Sequence, residues 1–281
     1  MKNKGFQYLY DMRPFFLFLI SLILLTACSY ESSNSLNADS INTQTQIRFN
    51  YKSLKNKWKL PLELDEISGL TYFAKNQLAC VNDEEGKIYI YDLVKKKIVI
   101  TIFFGKDGDY EGITYSYPNF YIIQSNGRLN IYNQEEKALT KVKLPFTSKN
   151  NIEGICLETK TTLLLALKDK GGTDGEKSDF HTIYRYDITT EKIELAYRIP
   201  NKKKIGFSGL AINPTDNKLL ILSHRTKEIY QIDQTTKELD SVWQVSRKLF
   251  PQAEGICYSP NGRLFISNER EDKYTATILE F

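Results

Sequence analysis

Histidine, tryptophan and methionine are nearly absent: the 281 residues hold two of each. The four cysteines stand at 28, 80, 156 and 257, without the paired spacing of a zinc site. A GxSxG nucleophile elbow and a glycine-rich phosphate loop are both missing. No signature of a serine hydrolase, a zinc enzyme or a P-loop nucleotide hydrolase is left. Blocks of one charge are missing too. The formal charge is +4, and the short runs "VKKKIV" (94–99) and "NKKKIG" (201–206) lie between strand-like segments. Solvated turns of this kind are not a nucleic-acid footprint, so no nucleic-acid partner is expected. Helical hydrophobic periodicity is absent beyond the one long apolar run.

That run opens the chain. Lys2, Lys4 and Arg13 precede "FFLFLISLILL" (15–25), which is followed by "LTAC" (25–28). A basic start, a short apolar stretch and small residues mark a secretory signal over 1–27. The run is shorter than the roughly 20 apolar residues of a spanning helix. Leu25-Thr26-Ala27-Cys28 resembles the bacterial lipobox, which implies cleavage before Cys28 and its acylation. The alternative is a signal anchor left in place. Several acyl chains on Cys28 would hold the protein stably on a lipid membrane. Ser29, in place of an aspartate, favours the outer membrane of a bacterial envelope. Residues 28–45 combine this cysteine with a Ser-, Asn- and Thr-rich tether that cannot bury enough apolar surface to order itself. Cys80, Cys156 and Cys257 are odd in number and sit in apolar strand patterns, so they are expected as buried free thiols.

From residue 46 onward one phrase recurs: "EISGL" (66–70), "DYEGI" (109–113), "NIEGI" (151–155), "FSGL" (207–210) and "QAEGI" (252–256). Its glycines, Gly69, Gly112, Gly154, Gly209 and Gly255, are 43, 42, 55 and 46 residues apart. A strand-built repeat of this length is the mark of a propeller. Each full repeat reads as four short strands. The third ends in Asp92, Asn133, Asp187 or Asp233, which are turn starters. Only 26 residues follow Gly255, so the last repeat lacks a strand. The segment 46–61 is expected to supply it as the outer strand of the last blade, closing the ring and removing an edge. The expected fold is therefore all-β, a five-bladed β-propeller over 46–281. Thr71, Thr114, Cys156, Ala211 and Cys257 lie two positions after the glycines, and their small side chains permit close packing near the axis.

Packing does not account for the acids. Ser68, Glu111, Glu153, Ser208 and Glu254 precede the glycines, and a ring places all five on one face around its axis. The second strands return to that face at Asp83, Glu84 and Glu269. Clustered carboxylates either rise in pKa or gather a cation. Calcium, a hard ion taking six to eight oxygens, suits them best. The candidate ligands are Glu66, Asp83, Glu111, Glu153, Glu254 and Glu269. The alternative is that each glutamate accepts backbone N–H bonds from the next blade, stapling the ring without metal.

The ordered set "EISGL…VNDE…GDYEGI…NIEGI…FSGLAI…AEGI…ISNE" resembles the SdiA-regulated family of bacterial envelope proteins over 58–281. The resemblance implies a five-bladed propeller, distantly related to NHL-repeat propellers, with a calcium site at the acidic positions above. One segment departs from the repeat: "KDKGGTDGEKSDFHT" (168–182), which is expected to overhang the acidic face as a surface insertion or a binding loop. Two functions stay open. One is a non-catalytic module that binds an unidentified protein or small molecule on the acidic face. The other is a calcium-dependent hydrolase, lactonase- or phosphoesterase-like, in which the ion polarises an oxygen and a base activates water. His224 is the weak candidate for that base, with Glu111 or Glu153 in reserve. Lys168 and Arg225 are the only obvious cations on that face, which disfavours a phosphate substrate.

Overall fold

A computed structural model describes residues 47–169, 171–173, 180–200 and 205–281. The signal, Cys28 and the whole tether lie outside them. The described residues fall in one compact unit and contain strands and two short 3-10 turns, with no α-helix among them.

Five antiparallel sheets form the blades. Blade one holds β3 (Ile67–Ala74), β4 (Gln77–Asn82), β5 (Lys87–Asp92) and β6 (Lys97–Phe103). Blade two holds β7 (Tyr110–Ser116), β8 (Asn119–Gln124), β9 (Arg128–Asn133) and β10 (Ala138–Lys143). Blade three holds β11 (Ile152–Leu157), β12 (Thr162–Leu167), β13 (Phe180–Asp187) and β14 (Ile193–Pro200). Blade four holds β15 (Phe207–Ile212), β16 (Lys218–Ser223), β17 (Glu228–Asp233) and β18 (Glu238–Gln244). Blade five holds β19 (Ala253–Tyr258), β20 (Leu264–Asn268), β21 (Thr277–Glu280) and, from the other end of the domain, β2 (Asn56–Lys59). The innermost strands β3, β7, β11, β15 and β19 touch in that order, and β19 returns to β3. The fold is the expected five-bladed β-propeller.

Local chemistry explains the elements. Second strands are packed between neighbouring blades on both faces, so they read as unbroken apolar runs; Leu163 to Leu167 of β12 are fully buried. Outer strands face water, as in "KIVITIF" of β6, none of whose residues is buried. Between third and fourth strands the same turn recurs. Asp92, Asn133, Asp187 and Asp233 each accept two backbone N–H bonds from residues two and three ahead. Lys96, Lys137, Glu191 and Lys237 then take positive φ. The core is divided as the ring requires: five clusters of buried apolar residues, one at each blade-to-blade junction.

The ring closes at β2, which pairs antiparallel with β21 and sets Trp58 opposite Ile278. Trp58 is buried, and its Nε1 donates to the Leu93 carbonyl of blade one at 2.8 Å. The segment 46–61 does not act as one strand, however. Its first part forms β1 (Ile47–Arg48), which lies parallel to β18 as a fifth strand of blade four. The chain thus bridges the outer edges of blades four and five before it enters blade one. Cys80, Cys156 and Cys257 are buried and free, as expected.

Candidate carboxylate site at one end of the ring axis

Each inner strand carries a β-bulge at the recurring phrase. The register slips between Ile67 and Gly69, Tyr110 and Gly112, Ile152 and Gly154, Phe207 and Gly209, and Ala253 and Ile256. The skipped residue is Ser68, Glu111, Glu153 or Ser208, and in blade five Glu254 with Gly255. A bulge releases a residue from the ladder and re-aims its side chain. The glycine that follows answers to crowding. A Cβ at Gly112 would lie 2.6 Å from the Glu153 carbonyl oxygen, and one at Gly209 2.8 Å from that of Glu254. The third position supplies Leu70, Ile113, Ile155, Leu210 and Ile256, which plug the axis around a gap of about 10 Å³. Three consecutive residues therefore have three tasks: bulge, close approach, plug.

The staples across the axis are serines. Ser68 Oγ donates to the Tyr110 carbonyl at 2.6 Å, and Ser208 Oγ to that of Ala253 at 2.9 Å. The glutamates expected to accept backbone N–H bonds are paired with side chains instead. Glu153 takes the Lys168 ammonium and Asn151 Nδ2, the latter at 3.1 Å. Glu254 meets His224 Nδ1 at 2.7 Å. Glu111 is hydrogen-bonded to Asp109, and Glu269 to Glu66. Glu269 also accepts from Gln252 Nε2 at 2.6 Å.

All six sequence candidates come to this end, joined in a closed circuit of repulsion. Asp83 feels Glu66 and Asp109; Asp109 acts on Glu111; Glu111 feels Glu153; Glu153 feels Glu254; Glu254 and Glu66 act on Glu269. The circuit has two unlike halves. Beside blades three and four, Lys168 lies against Glu153 and also acts with Glu254 and Glu111. Burial opposes its charge, but the carboxylates prevail and hold the ammonium above its usual range. Burial, then the charge of Glu254, push Glu153 up to about 8 against the pull of Lys168, with which it is in contact. Arg225 stands by on Asp169 at 3.0 Å.

Beside blades five, one and two the balance is different. The charges acting on Asp83 are those of Glu66, Glu84 and Asp109, all negative. Burial, then those neighbours, push Asp83 up to about 6. Burial, the bond to Glu66 and the charge of Glu254 push Glu269 up to about 9. Burial and the charge of Glu153 push Glu111 up to about 9. Asp83 Oδ1 is buried with no hydrogen-bond partner. A buried orphan oxygen among acids held neutral is what a missing cation would leave. The donor set, hard oxygens without thiol or imidazole, fits calcium in kind. Among the described residues, no three carboxylates, histidines or cysteines converge as a metal-holding group. Loading would require side-chain rotation.

Two residues were not marked as candidate ligands or counter-ions in the sequence. Asp109 precedes Glu111 by two, and that spacing was the available signal. Lys168 follows the second strand of blade three, and the β11–β12 hairpin, which pairs Ile152 with Leu167, sets it beside its own blade's Glu153. The insertion after it is tied down at both described ends: Asn150 Nδ2 donates to the Gly172 carbonyl at 2.6 Å, and Thr182 Oγ1 to that of Gly171 at 2.8 Å. Lys170 and residues 174–179 lie outside the described residues, so the expected overhang is described only at its base. His181, the second histidine, is buried against the Phe207 ring at 5.3 Å.

The sequence model of the SdiA-regulated family matches residues 44–275. The chain belongs to the SdiA-regulated family. The match spans all five blades except β21, which begins two residues beyond it. Solved structures similar to this family member include glutaminyl cyclase from Myxococcus xanthus, at 12% identity and a TM-score of 0.58, covering 81% of this chain and 94% of that one. A nidogen–laminin complex matches at 13% and 0.51, covering 72% of each chain. A protein of unknown function from Bacteroides thetaiotaomicron matches at 14% and 0.53, covering 76% of this chain and 55% of that one. At such identities the likeness is one of fold. No curated protein matches the chain.

Proposed function

We propose that this member of the SdiA-regulated family is a calcium-stabilised binding module. Acylated Cys28 would hold it on the bacterial envelope, in the outer membrane, with its acidic face presented to a protein or small-molecule ligand. The anchor rests on the sequence alone; no helix among the described residues is long and apolar enough to cross a membrane. The calcium reading rests on one observation above all: the half-ring of Glu66, Asp83, Asp109 and Glu269, with the orphaned Asp83 Oδ1 and the charges of Glu66, Glu84 and Asp109 all raising Asp83. Those four residues would hold the ion, with Glu111 at their border. Glu153 and Glu254 belong to the other half, where Lys168 and His224 already engage them. A bound ion would supply positive charge and let the acids ionise together. The chain's own residues do the rest: Lys168 offers Glu153 a countercharge beside the axis, and Ser68 and Ser208 tie neighbouring blades together.

One observation keeps the hydrolase reading in view. The His224 imidazole is oriented by Glu254 and about a quarter exposed, a usable base if water were activated nearby. A phosphoester substrate is less well served, because Lys168 and Arg225 both already pair with carboxylates.

The test is a melt of chelator-treated protein titrated with Ca²⁺ and with Mg²⁺. A ligand bound only by the folded state stabilises it by about 2.7 kcal/mol at a hundred times its Kd. Calcium should raise the midpoint and magnesium should not. The double substitution Asp83→Asn with Glu66→Gln should abolish the rise. An unchanged midpoint with calcium would overturn the calcium reading. Calcium-dependent hydrolysis of a lactone, lost in His224→Ala, would replace the binding module with the enzyme.

A further inference from the structure

The axial plug separates two unlike chambers. Beyond it, away from the carboxylates, the five inner strands open into a cavity of about 250 Å³. Its walls beside the plug are Thr71, Thr114, Cys156, Ala211 and Cys257, one from each blade. All five are buried. Tyr72, Tyr115 and Tyr258 line it one residue further along. No Asp, Glu, Lys, Arg or His is among its lining residues. Burial raises the pKa of both thiols, so they stay protonated and uncharged. One chain thus carries a charged mouth and an uncharged one on the same axis.

The small residues do more than let the blades converge. Five larger side chains at these positions would extend the plug and fill the chamber. The wall is also asymmetric. Thr71 and Thr114 are contributed by the neighbouring blades one and two, while Cys156, Ala211 and Cys257 make the rest of this wall without a hydroxyl. Tyr115 is held by Gln134, whose Nε2 donates to its hydroxyl at 2.8 Å. Pockets for small ligands run from roughly 300 to 1,000 Å³ and combine apolar walls with a few placed polar groups. This chamber lies just below that range.

We propose that this chamber is a binding site for a small, uncharged, largely apolar molecule carrying one hydrogen-bonding oxygen. Its flat part would lie between the tyrosines and the plug, with its oxygen toward Thr71 and Thr114. A charged ligand would lose hydration with no countercharge on the wall.

The neutral fluorophore N-phenyl-1-naphthylamine, titrated into the full chain, tests this. Saturable fluorescence enhancement at one probe per chain is expected, with 1-naphthol competing. Ala211→Phe should weaken probe binding at least tenfold by filling the chamber, and Thr114→Val should weaken competition by 1-naphthol more than binding of the probe. Because Ala211→Phe could disturb folding, thiol labelling of the unsubstituted protein is the second measurement. N-ethylmaleimide, followed by peptide mapping, should modify Cys156 and Cys257 faster than Cys80, which is fully buried outside the chamber, and the probe should slow it. No saturable enhancement, or labelling of Cys156 and Cys257 unaffected by saturating probe, would overturn the proposal.

Discussion

Gly112 leaves no room for a methyl group. Its Cβ would sit 2.6 Å from the Glu153 carbonyl oxygen of the next blade, a backbone atom that cannot swing away. Gly112→Ala should cost roughly 1–3 kcal/mol, the usual range for overpacking, read as a lower urea midpoint with an unchanged m-value. Its neighbour Glu111 sets a pH dependence instead. Its folded pKa lies near 9, against 4.5 for the free side chain, chiefly through burial and then the charge of Glu153. Between those values the folded state holds a proton that the unfolded chain has lost. Stability of the chelator-treated protein should therefore fall as pH rises from about 4.5 to about 9. Asp83 and Glu269 are shifted the same way and add to the slope. Glu111→Gln removes one titrating group and should flatten the fall, measured as urea midpoints across that window. A slope unchanged by the substitution would mean that Glu111 ionises freely in the folded state. The need for an acid near the axis was legible in the sequence. Which acids found a partner was legible only in part: Lys168 meets Glu153 within one hairpin, whereas His224 of blade four meets Glu254 of blade five only when the ring forms.

At the scale of elements, the seam at β2 decides whether the ring holds. Trp58 joins blade five to blade one by burial against Phe265 and by its bond to the Leu93 carbonyl. Trp58→Ala should cost roughly 3–5 kcal/mol in urea unfolding, since it opens a cavity and leaves that carbonyl unpaired. A loss below 1 kcal/mol would show that β1 and the other interblade contacts close the ring without it. The shortage of a strand after Gly255 could be counted in the sequence, and the partner segment found by its strand-like pattern. The division of that segment could not. Ile47–Arg48 pairs in parallel with β18, a register that depends on where two blade edges meet in space. The Asx turns were easier to read, because Asp92, Asn133, Asp187 and Asp233 form them with N–H groups within three positions.

For the whole molecule, the prediction concerns location. If Cys28 is acylated as proposed, Cys28→Ser should move the protein from the membrane fraction to the soluble one, because it removes the acceptor of the acyl chains. Retention on the membrane would point to the uncleaved signal as the anchor. The ring itself carries two faces of opposite chemistry, a rim of carboxylates and an uncharged chamber, divided by five apolar side chains. That division isolates the charge cluster from the second mouth, so a ligand in one need not meet the other.

The sequence by itself determined the repeat, the number of blades, the missing strand and the acidic positions. Each is a property of spacing, turn chemistry or composition, which act within a few residues or recur at a fixed period. The tertiary structure alone decided which carboxylates are compensated, where Asp83 is left without a partner, and that the small residues after each glycine enclose a chamber. Apart from the Lys168–Glu153 pair, which one hairpin makes, these depend on distances between different blades. Side chains some 40 residues apart along the chain become neighbours only when the ring closes, and burial there decides what their charges are worth.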